Sequence, residues 1–322
     1  MELPQVVRGI VDGLLEGTGL NTLSAAADAL SKRYRGEVRD GRLHLGDDLA
    51  ARAYVATRLP ATYAAVSACT AAIAERRPDF APRTLLDVGA GPGSVLLAAA
   101  ERWPGLERAT LLEASPAVRA WGERLTAHLP VAATWRTADA TTGFAGTEPH
   151  DLVSAAYLLN ELPEEARARL VADLWALTKG TLLLVEPGTP AGWGRILAAR
   201  AQLFAAGAHP VAPCPHAKAC PLTPPDWCHF SQRTPRSRLH RGAKRAEVGW
   251  EDEKYSYVAV SRVFERRPGA GEARVLATPR SRSGLVTLKL CEPDGSARER
   301  TVTKREGAAF GAARRVGWGD TF

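Results

Sequence analysis

The sequence contains no apolar run that could cross a lipid bilayer. Its apolar run at residues 181–185 is far shorter than the roughly 20 residues that a spanning helix needs. The first residues, MELPQVVRGIVDGLLEG, carry Glu2, Asp12 and Glu16, which are typical of an amphipathic helix and not of a signal or transit peptide. We therefore expect a cytoplasmic protein without a membrane partner. Its 322 residues suggest about two domains, and its Ala, Arg and Gly content is typical of a bacterial chain.

Cysteine is scarce and unevenly placed. The chain has five cysteines, and Cys69 stands alone in an Ala-rich segment, where it is interpreted as a small buried hydrophobic residue. The other four lie in the second half of the chain: Cys214, Cys220, Cys228 and Cys291. In a reducing compartment, cysteines clustered in this way are more often metal ligands than disulfide partners. The sequence therefore predicts a metal site.

The spacing of these cysteines bears on the kind of metal. Three lie in PCPHAKACPLTPPDWCHF, predicted to be an irregular loop because proline is excluded from helix interiors and central strands. The C-x2-C pairs of zinc ribbons are absent. Three thiolates on a loop and one remote thiolate suit an iron–sulfur cluster. Zinc is the alternative, held by four thiolates or by three with His216 or His229.

Positive charge is concentrated in the last third of the chain. Residues 229–322 hold 20 Lys and Arg against 11 Asp and Glu, whereas residues 1–228 hold 22 against 24. The densest part of this region is the basic run at residues 231–245, which contains no acidic residue. Such a run predicts a phosphate-binding surface for nucleic acid. The other interpretation is a solvated, mobile loop. The cations of the run are Arg233, Arg236, Arg238, Arg241, Lys244 and Arg245.

A change of pattern divides the chain. Residues 1–80 show helical periodicity without a chemical motif. From Arg83, helical segments alternate with five short apolar runs: RTLLDVG, ATLLEA, VAATWRT, HDLVSAAYLL and GTLLLVEP. Such alternation predicts a parallel sheet with helices on both faces.

The alternation is interrupted by a predicted insertion at residues 209–247, which holds the cysteine loop and the basic run. It resumes with a strand at residues 254–264, and a linker follows at residues 265–274. We therefore predict an α/β chain with a helical region at 1–80, a Rossmann-like domain at 81–265 and a small basic β-rich module at 266–322.

A glycine loop follows the first predicted strand, with Asp87, Gly89, Gly91 and Gly93 in the segment DVGAGPG. Glycine lets the backbone turn tightly and lets a ligand approach it closely. The loop lacks the G-K-[ST] of a P-loop, and it has Ser94 where a dinucleotide fingerprint has its third glycine. It is instead similar to motif I of class I methyltransferases, which implies a class I, S-adenosylmethionine-dependent fold.

That resemblance also implies roles for two acids. Glu113 matches the residue that bonds both ribose hydroxyls, and Asp139 matches a position that often contacts adenine. The segment SAAYLLNELP lacks the [DN]-P-P-[FY] motif for amino methylation of a base, and the chain's Pro-Cys pair is misplaced for a cytosine-C5 nucleophile. Asn160 and Glu161 are candidates for substrate contact or only for helix capping, so the catalytic residues stay unassigned.

Taken together, several segments resemble one family, the methyltransferase-like small-ribosomal-subunit proteins, over residues 85–322. They are LLDVGAGPGS, SAAYLLNELP, LLLVEPGTPAGW, PCPHAKACPL, WCHFSQR, KYSYVAVSR, KLCEPDG and the final WGD. The resemblance implies a [4Fe–4S] cluster on Cys214, Cys220, Cys228 and Cys291. It also implies that small-subunit ribosomal RNA is the partner, and that this is a bacterial-type member.

Three functions are open at this point. The chain is a ribosomal RNA methyltransferase, or a small-subunit assembly factor that does not catalyse, or a small-molecule methyltransferase. The basic run disfavours the third, since a neutral small substrate needs no phosphate surface. A radical S-adenosylmethionine enzyme is disfavoured by the absence of C-x3-C-x2-C. We expect a monomer.

Overall fold

An eight-stranded mixed sheet forms the centre of the structure, a computed structural model that describes residues 1–36, 40, 43–263 and 271–322. Its strands are β1 (Thr84–Val88), β2 (Arg108–Leu112), β3 (Ala132–Arg136), β4 (His150–Ala156), β5 (Thr178–Pro187), β6 (His209–Ala212), β7 (Phe230–Pro235) and β8 (Trp250–Ser261). Their order is β3-β2-β1-β4-β5-β8-β6, and β7 also pairs with β8. Strands β1 to β5 are parallel, whereas β8 is antiparallel to β5, β6 and β7.

Four helices precede the sheet: α1 (Gln5–Leu15), α2 (Leu20–Arg35), α3 (Asp48–Thr57) and α4 (Leu59–Arg76). α1 buries Val7, Val11 and Leu15, which recur every four residues on one face. α3 begins where the Asp47 side chain accepts a hydrogen bond of 2.8 Å from the Ala50 amide. α4 is buried along most of its length, and its Cys69 is fully buried, as predicted.

The helices between the strands are α5 (Ser94–Arg102), α6 (Pro116–Thr126), α7 (Glu164–Ala176) and α8 (Pro190–Ala205). α6 and α8 begin in the same way, with proline in the first turn and a hydroxyl cap from Ser115 and Thr189 respectively. β1 lies between β2 and β4, so the chain reverses its direction across the sheet there, and ligands bind at the carboxyl ends of such strands. The predicted Rossmann-like methyltransferase fold is confirmed.

Two strands lie within the segment that the sequence analysis predicted to be an insertion outside the sheet. His209–Ala212 pairs with one end of β8, and Phe230–Pro235 pairs with the other. The first strand was not predicted because it contains Pro210, and proline is tolerated in a sheet only at an edge or an irregularity. β6 meets both conditions, since it is an edge strand and its register shifts between Pro210 and Ala212. The expectation of a loop therefore holds only between these strands.

The C-terminal residues form a second sheet from β9 (Arg274–Val275), β10 (Arg280–Arg282), β11 (Leu285–Cys291) and β12 (Ala297–Thr303), with α10 (Ala308–Ala313) against it. A small apolar core of its own includes Val275, Val286 and Leu288. Most of the predicted linker lies outside the described residues, as does the end of the strand predicted to reach residue 264.

No helix in the described ranges combines the length and the apolar character that crossing a membrane requires. α9 (Arg238–Lys244) lies between β7 and β8.

Candidate functional site

The glycine loop is shaped by backbone that only glycine adopts easily. Gly89, Gly91 and Gly93 have φ of 68°, 54° and 87°. The amides of Gly89 and Ala90 donate to the Leu112 carbonyl at 2.9 and 3.1 Å, which ties the loop to the end of β2. The loop therefore passes directly over the carboxyl ends of β1 and β2.

Glu113 is fixed by backbone amides at the end of β2. Its two carboxylate oxygens accept from the Gly91 amide at 2.8 Å and from the Ser115 amide at 2.8 Å. Burial raises the pKa of Glu113, and the amide bonds oppose that rise. The carboxylate is thus oriented before a ligand arrives and keeps lone pairs for other donors.

A cavity of about 440 Å³ opens above this loop. Its floor includes Gly89, Gly91 and Glu113, and its far wall is the segment after β4. The N-terminal helices and the chain between α2 and α3 form its roof, with Tyr34, His44, Leu45, Tyr54, Arg58 and Thr62. This roof was not predicted from the sequence, because its residues belong to no recognisable motif.

Two contacts hold the roof in place. Tyr34 stacks on His44 with ring centroids 4.9 Å apart. Arg58 forms a 3.0 Å ion pair with Glu253 of β8, and the same Glu253 oxygen accepts a 3.0 Å hydrogen bond from the Tyr157 hydroxyl. The network therefore joins the helical region, β8 and the end of β4 around one cavity.

Tyr157 is strained. Its φ of 58° lies in the left-handed region, which costs a non-glycine residue of this bulk about 1–3 kcal/mol. Its amide donates to the Val185 carbonyl at 2.7 Å, and its side chain lines the cavity. Strain of this kind is concentrated at functional sites, so Tyr157 joins the candidate residues although no sequence signal indicated it.

Glu161 adds a second carboxyl to the cavity wall. Its pKa is raised to about 8, mainly by burial and also by the nearby carboxylates of Glu113 and Glu186, while Arg33 opposes the rise. Asn160 lies beside it on the same wall. A site with two acidic groups favours a ligand that carries positive charge.

The other predicted cofactor residues lie close to the cavity but not on its described wall. Asp87 is fully buried below the loop, where its Oδ1 accepts from the Ser154 hydroxyl at 2.7 Å and burial raises its pKa to about 7. Asp139 accepts from the amide and hydroxyl of Thr141, so it caps its own turn. Its neighbours Ala138 and Ala140 line the cavity instead. An Asp139 contact to adenine stays a prediction.

S-adenosylmethionine fits this set of residues. A Cβ added at Gly91 would meet no atom within 4 Å, so the loop leaves open space for a ligand there. The Glu113 carboxylate, fixed by two amides, can accept from two ribose hydroxyls. Asp87 Oδ2 is buried and makes no hydrogen bond to the described residues, so a ligand or water could satisfy it.

The second candidate site brings the four predicted cysteines together. Their side chains line one small cavity of about 40 Å³, and none of them forms a disulfide. Cys214, Cys220 and Cys228 come from the loop after β6, and Cys291 comes from the end of β11. His216 also lines the cavity, with Nε2 3.5 Å from Cys291 Sγ. His229 instead stacks on Trp227 and meets Trp318 edge to face.

Two buried arginines hold this centre, and the sequence analysis predicted neither. Arg200 of α8 donates to Cys214 Sγ at 3.2 Å and to the carbonyls of His216 and Lys218 at 3.1 and 2.7 Å. Arg274 of β9 donates to the Pro213 carbonyl at 2.9 Å. They therefore fix the loop and place positive charge beside the thiols.

The protonation of the thiols follows from their surroundings. Burial raises the pKa of Cys291 to about 12, with Cys214 and Cys220 adding to the rise, and burial also raises the pKa of Cys220 and Cys228. Without a cation these three thiols are neutral near pH 7. A metal would displace their protons.

The donor set fits a thiolate-bound metal centre. Four free thiols converge on one cavity, and the two arginines can offset the negative charge of a cluster with four thiolates. In the described ranges, no three or more His, Cys, Asp or Glu side chains are close enough to hold one metal ion.

The basic run has regular secondary structure, and several of its cations are held in ion pairs, unlike those of a solvated loop. It forms β7 and α9. Arg233 bonds both oxygens of Asp252 at 2.8 Å, and Arg236 and Lys244 both lie 3.0 Å from Glu251. The remaining cations are exposed and form no ion pair with an acid among the described residues; they are Arg238, Arg241 and Arg245.

Comparison with known proteins identifies related chains. The family model "Mitochondrial small ribosomal subunit Rsm22" matches residues 48–322. "Ribosome assembly protein METTL17, mitochondrial" of Homo sapiens is 32% identical in an alignment of 302 positions that covers 83% of this chain and 61% of that protein. "Rsm22-cox11 tandem protein 2, mitochondrial" of Schizosaccharomyces pombe is 25% identical over 84% of this chain and 42% of that protein. The chain thus spans about half the length of these relatives.

Solved structures resemble the chain distantly. The magnesium protoporphyrin IX methyltransferase of Synechocystis PCC 6803 with bound S-adenosylmethionine aligns at 15% identity and a TM-score of 0.42, over 80% of this chain and 97% of that one. A similarity of this size does not bear on the ligand of this chain.

Proposed function

Because this chain belongs to the mitochondrial small ribosomal subunit Rsm22 family, we propose that it acts as an assembly factor that binds the RNA of a small ribosomal subunit. The observation that carries the proposal is the position of the cysteine centre. Cys228 lies two residues before β7, and β7 and α9 hold the basic run. A filled centre would therefore fix the cationic surface that meets phosphate.

We propose that Cys214, Cys220, Cys228 and Cys291 hold a [4Fe–4S] cluster. When bound, the cluster would order the loop through four metal–thiolate bonds. Arg200 and Arg274 support this, because buried cations beside the thiols stabilise the thiolate form and offset the charge of the cluster. Zinc is the alternative, and measurement of iron, sulfide and zinc in the purified chain would reveal it.

We also propose that the larger cavity holds S-adenosylmethionine, with Glu113 on the ribose and Gly89 and Gly91 against the ligand. Methyl transfer to ribosomal RNA is the second candidate function. The cavity wall beyond the loop favours it, because Tyr157, Asn160 and Glu161 line that wall with polar side chains that can contact a methyl acceptor. The chain's own residues would bind the cofactor, orient it and exclude water.

The test uses the full chain, purified without oxygen. Iron, acid-labile sulfide and zinc are measured first, and near-equal iron and sulfide are expected. Co-sedimentation with small ribosomal subunits is then measured at increasing salt, and a steep loss of binding is expected for phosphate contacts. Stoichiometric zinc without sulfide would contradict the cluster, and no binding at low salt would contradict the assembly function.

Glu113→Ala separates the two candidate functions. An assembly factor that uses the cofactor only as a ligand should keep its association with the subunit and its support of assembly after this change. A methyltransferase should lose methyl transfer from labelled S-adenosylmethionine to small-subunit RNA.

A cytoplasmic, bacterial-type, monomeric member of the family is part of the proposal, although the relatives above are mitochondrial by name. Cell fractionation and light scattering of the purified chain would test these points.

A further inference from the structure

The β7–β8 hairpin has an outward face. Its cross-strand pairs include Pro235 with Trp250, Arg233 with Asp252 and Ser231 with Lys254. Side chains two apart along a strand share a face, so these six lie on one side. Of the six, Ser231 is half-buried and the other five are exposed, whereas the intervening residues, such as Thr234 and Glu253, are buried.

Trp250 is the large aromatic residue on this face. It keeps 42% of its surface exposed, although tryptophan is usually among the more buried residues. The guanidinium of Arg233 lies 3.6 Å from the Trp250 ring centroid. Since Asp252 bonds the same guanidinium twice at 2.8 Å, the Arg233 plane is held against the ring.

Cations lie on either side of Trp250 along the hairpin. α9 lies at the tip of the hairpin, where the Arg236 amide donates to the Gly249 carbonyl at 2.8 Å. The exposed Arg238 and Arg241 of α9, and Arg245 directly after it, form no ion pair with an acid in the described part of the chain. Lys254 lies further along the same face as Trp250. An exposed aromatic ring within a positive field is complementary to a base that is attached to phosphates.

We propose that Trp250 and Arg233 form a stacking platform for one unpaired base of single-stranded RNA, with the arginines of α9 on the flanking phosphates. The inference rests on the proposed RNA-binding function and adds to it the kind of RNA that is bound. Duplex RNA keeps its bases stacked inside the helix, so a surface ring cannot reach their faces. An unpaired base offers a free π-face whatever its identity.

The test measures the affinity of the full chain for two fluorescent RNAs by anisotropy: an unstructured 12-nucleotide strand and a duplex of the same length. We expect Trp250→Ala to weaken single-strand binding about tenfold at every salt concentration, with the salt slope unchanged. Trp250→Phe, which keeps a ring, should stay within about threefold of the wild type. Duplex binding should change little in either variant.

Arg238→Ala is the matched electrostatic control. It should weaken the binding of both RNAs and lower the slope of log affinity against log salt concentration by about one. Melting curves of all the variants check that each is folded.

Two outcomes would overturn the platform while leaving RNA binding intact. They are wild-type affinity of Trp250→Ala for the single strand, and an equal loss for the single strand and the duplex. Absence of RNA binding by the wild-type chain would overturn the proposed function itself.

Discussion

The two candidate sites differ in how their parts come together. The cofactor cavity takes its floor from one short stretch, since Gly89 and Glu113 are 24 residues apart and hydrogen-bonded backbone fixes them. The cysteine centre joins a loop after β6 to the end of β11, and side chains of two remote arginines hold it. One site is built by local backbone geometry, and the other depends on long-range assembly.

This difference has an energetic side. In the cavity, the Glu113 carboxylate already accepts from two amides, so the site needs no ligand to hold its shape. In the cysteine centre, burial favours neutral thiols, and a metal would release their protons and supply bonds that the loop otherwise lacks. We therefore expect loss of the ligand to leave the structure of the cavity unchanged, whereas loss of the metal should destabilise the cysteine loop.

The largest effect should come from Cys220→Ser. We expect it to abolish the cluster, to lower the melting temperature of the anaerobically purified chain and to weaken association with the subunit, while S-adenosylmethionine binding changes little. Loss of a structural metal removes folding free energy. The measurements are iron and sulfide content, calorimetric melting and isothermal titration.

Cys69→Ala is the control for Cys220→Ser, because Cys69 is fully buried in α4 and does not line the cysteine cavity. It should keep iron and sulfide at wild-type levels. Full iron content in Cys220→Ser would contradict the assignment of that thiol.

Next in size is Glu113→Ala, which removes the fixed carboxylate of the cavity. We expect the affinity for S-adenosylmethionine to fall about 100-fold, since two charge-assisted hydrogen bonds contribute roughly 3 kcal/mol together. Iron content should not change. The measurement is isothermal titration with the cofactor.

Asp139→Ala tests the predicted contact to adenine in the same assay, since the Asp139 carboxylate also caps its own turn. A loss of about threefold or less would show that the carboxylate only caps that turn. An equal loss in both variants would show that Asp139 reaches the adenine, as the motif implied.

A smaller effect concerns pH. The raised pKa of Glu161, about 8, means that the empty cavity carries a neutral Glu161 near pH 7. A cationic sulfonium favours the ionised form, so S-adenosylmethionine affinity should rise roughly tenfold from pH 6.5 to pH 8.5. S-adenosylhomocysteine, whose sulfur is uncharged, should show a flatter profile.

Glu161→Gln should remove this difference between the two ligands. The groups that face Glu161 are Glu113, Glu186 and Arg33, with Tyr34 and Tyr54 also in its field. The same slope for wild type and Glu161→Gln would exclude Glu161 as the titrating group.

The smallest effect should come from Gly91→Ala. Its φ of 54° costs an alanine about 1 kcal/mol of unfolding free energy, and a Cβ there meets open space. Gly93→Ala should cost more, because its Cβ would also lie 2.9 Å from Thr126 Cγ2. Gly105→Ala, at ordinary φ and in open space, should be nearly neutral. Urea unfolding of the three variants would rank them, and a reversed order would contradict the loop geometry.

The difference between a locally built cavity and a cysteine centre assembled from distant segments also explains what could be predicted from the sequence. The loop from Asp87 to Gly93 and the acid at Glu113 are local patterns, and the strand order follows from alternating periods. The convergence of Cys291 with the other thiols was predicted from the placement of the four cysteines and then from a family resemblance. Arg200 and Arg274 were not predicted, because a buried arginine looks like any other arginine in a sequence.

The cavity roof escaped prediction for a related reason. Arg58, Tyr157 and Glu253 come from three distant parts of the chain, and only the folded structure shows that they form one network. The left-handed backbone at Tyr157 has no signature, since it arises from the packing around the end of β4.

Helix α8 belongs to both sites. Its N-cap, Thr189, lines the cofactor cavity, and Arg200, eleven residues on, reaches the cysteine centre. At 1.5 Å per residue, about 16 Å of continuous helix separates the two ends. If a ligand at one end shifts this helix, the free energy of coupling is shared by both ends. If a metal in the cysteine centre raised the affinity for the cofactor by some factor, the cofactor would raise the affinity for the metal by the same factor.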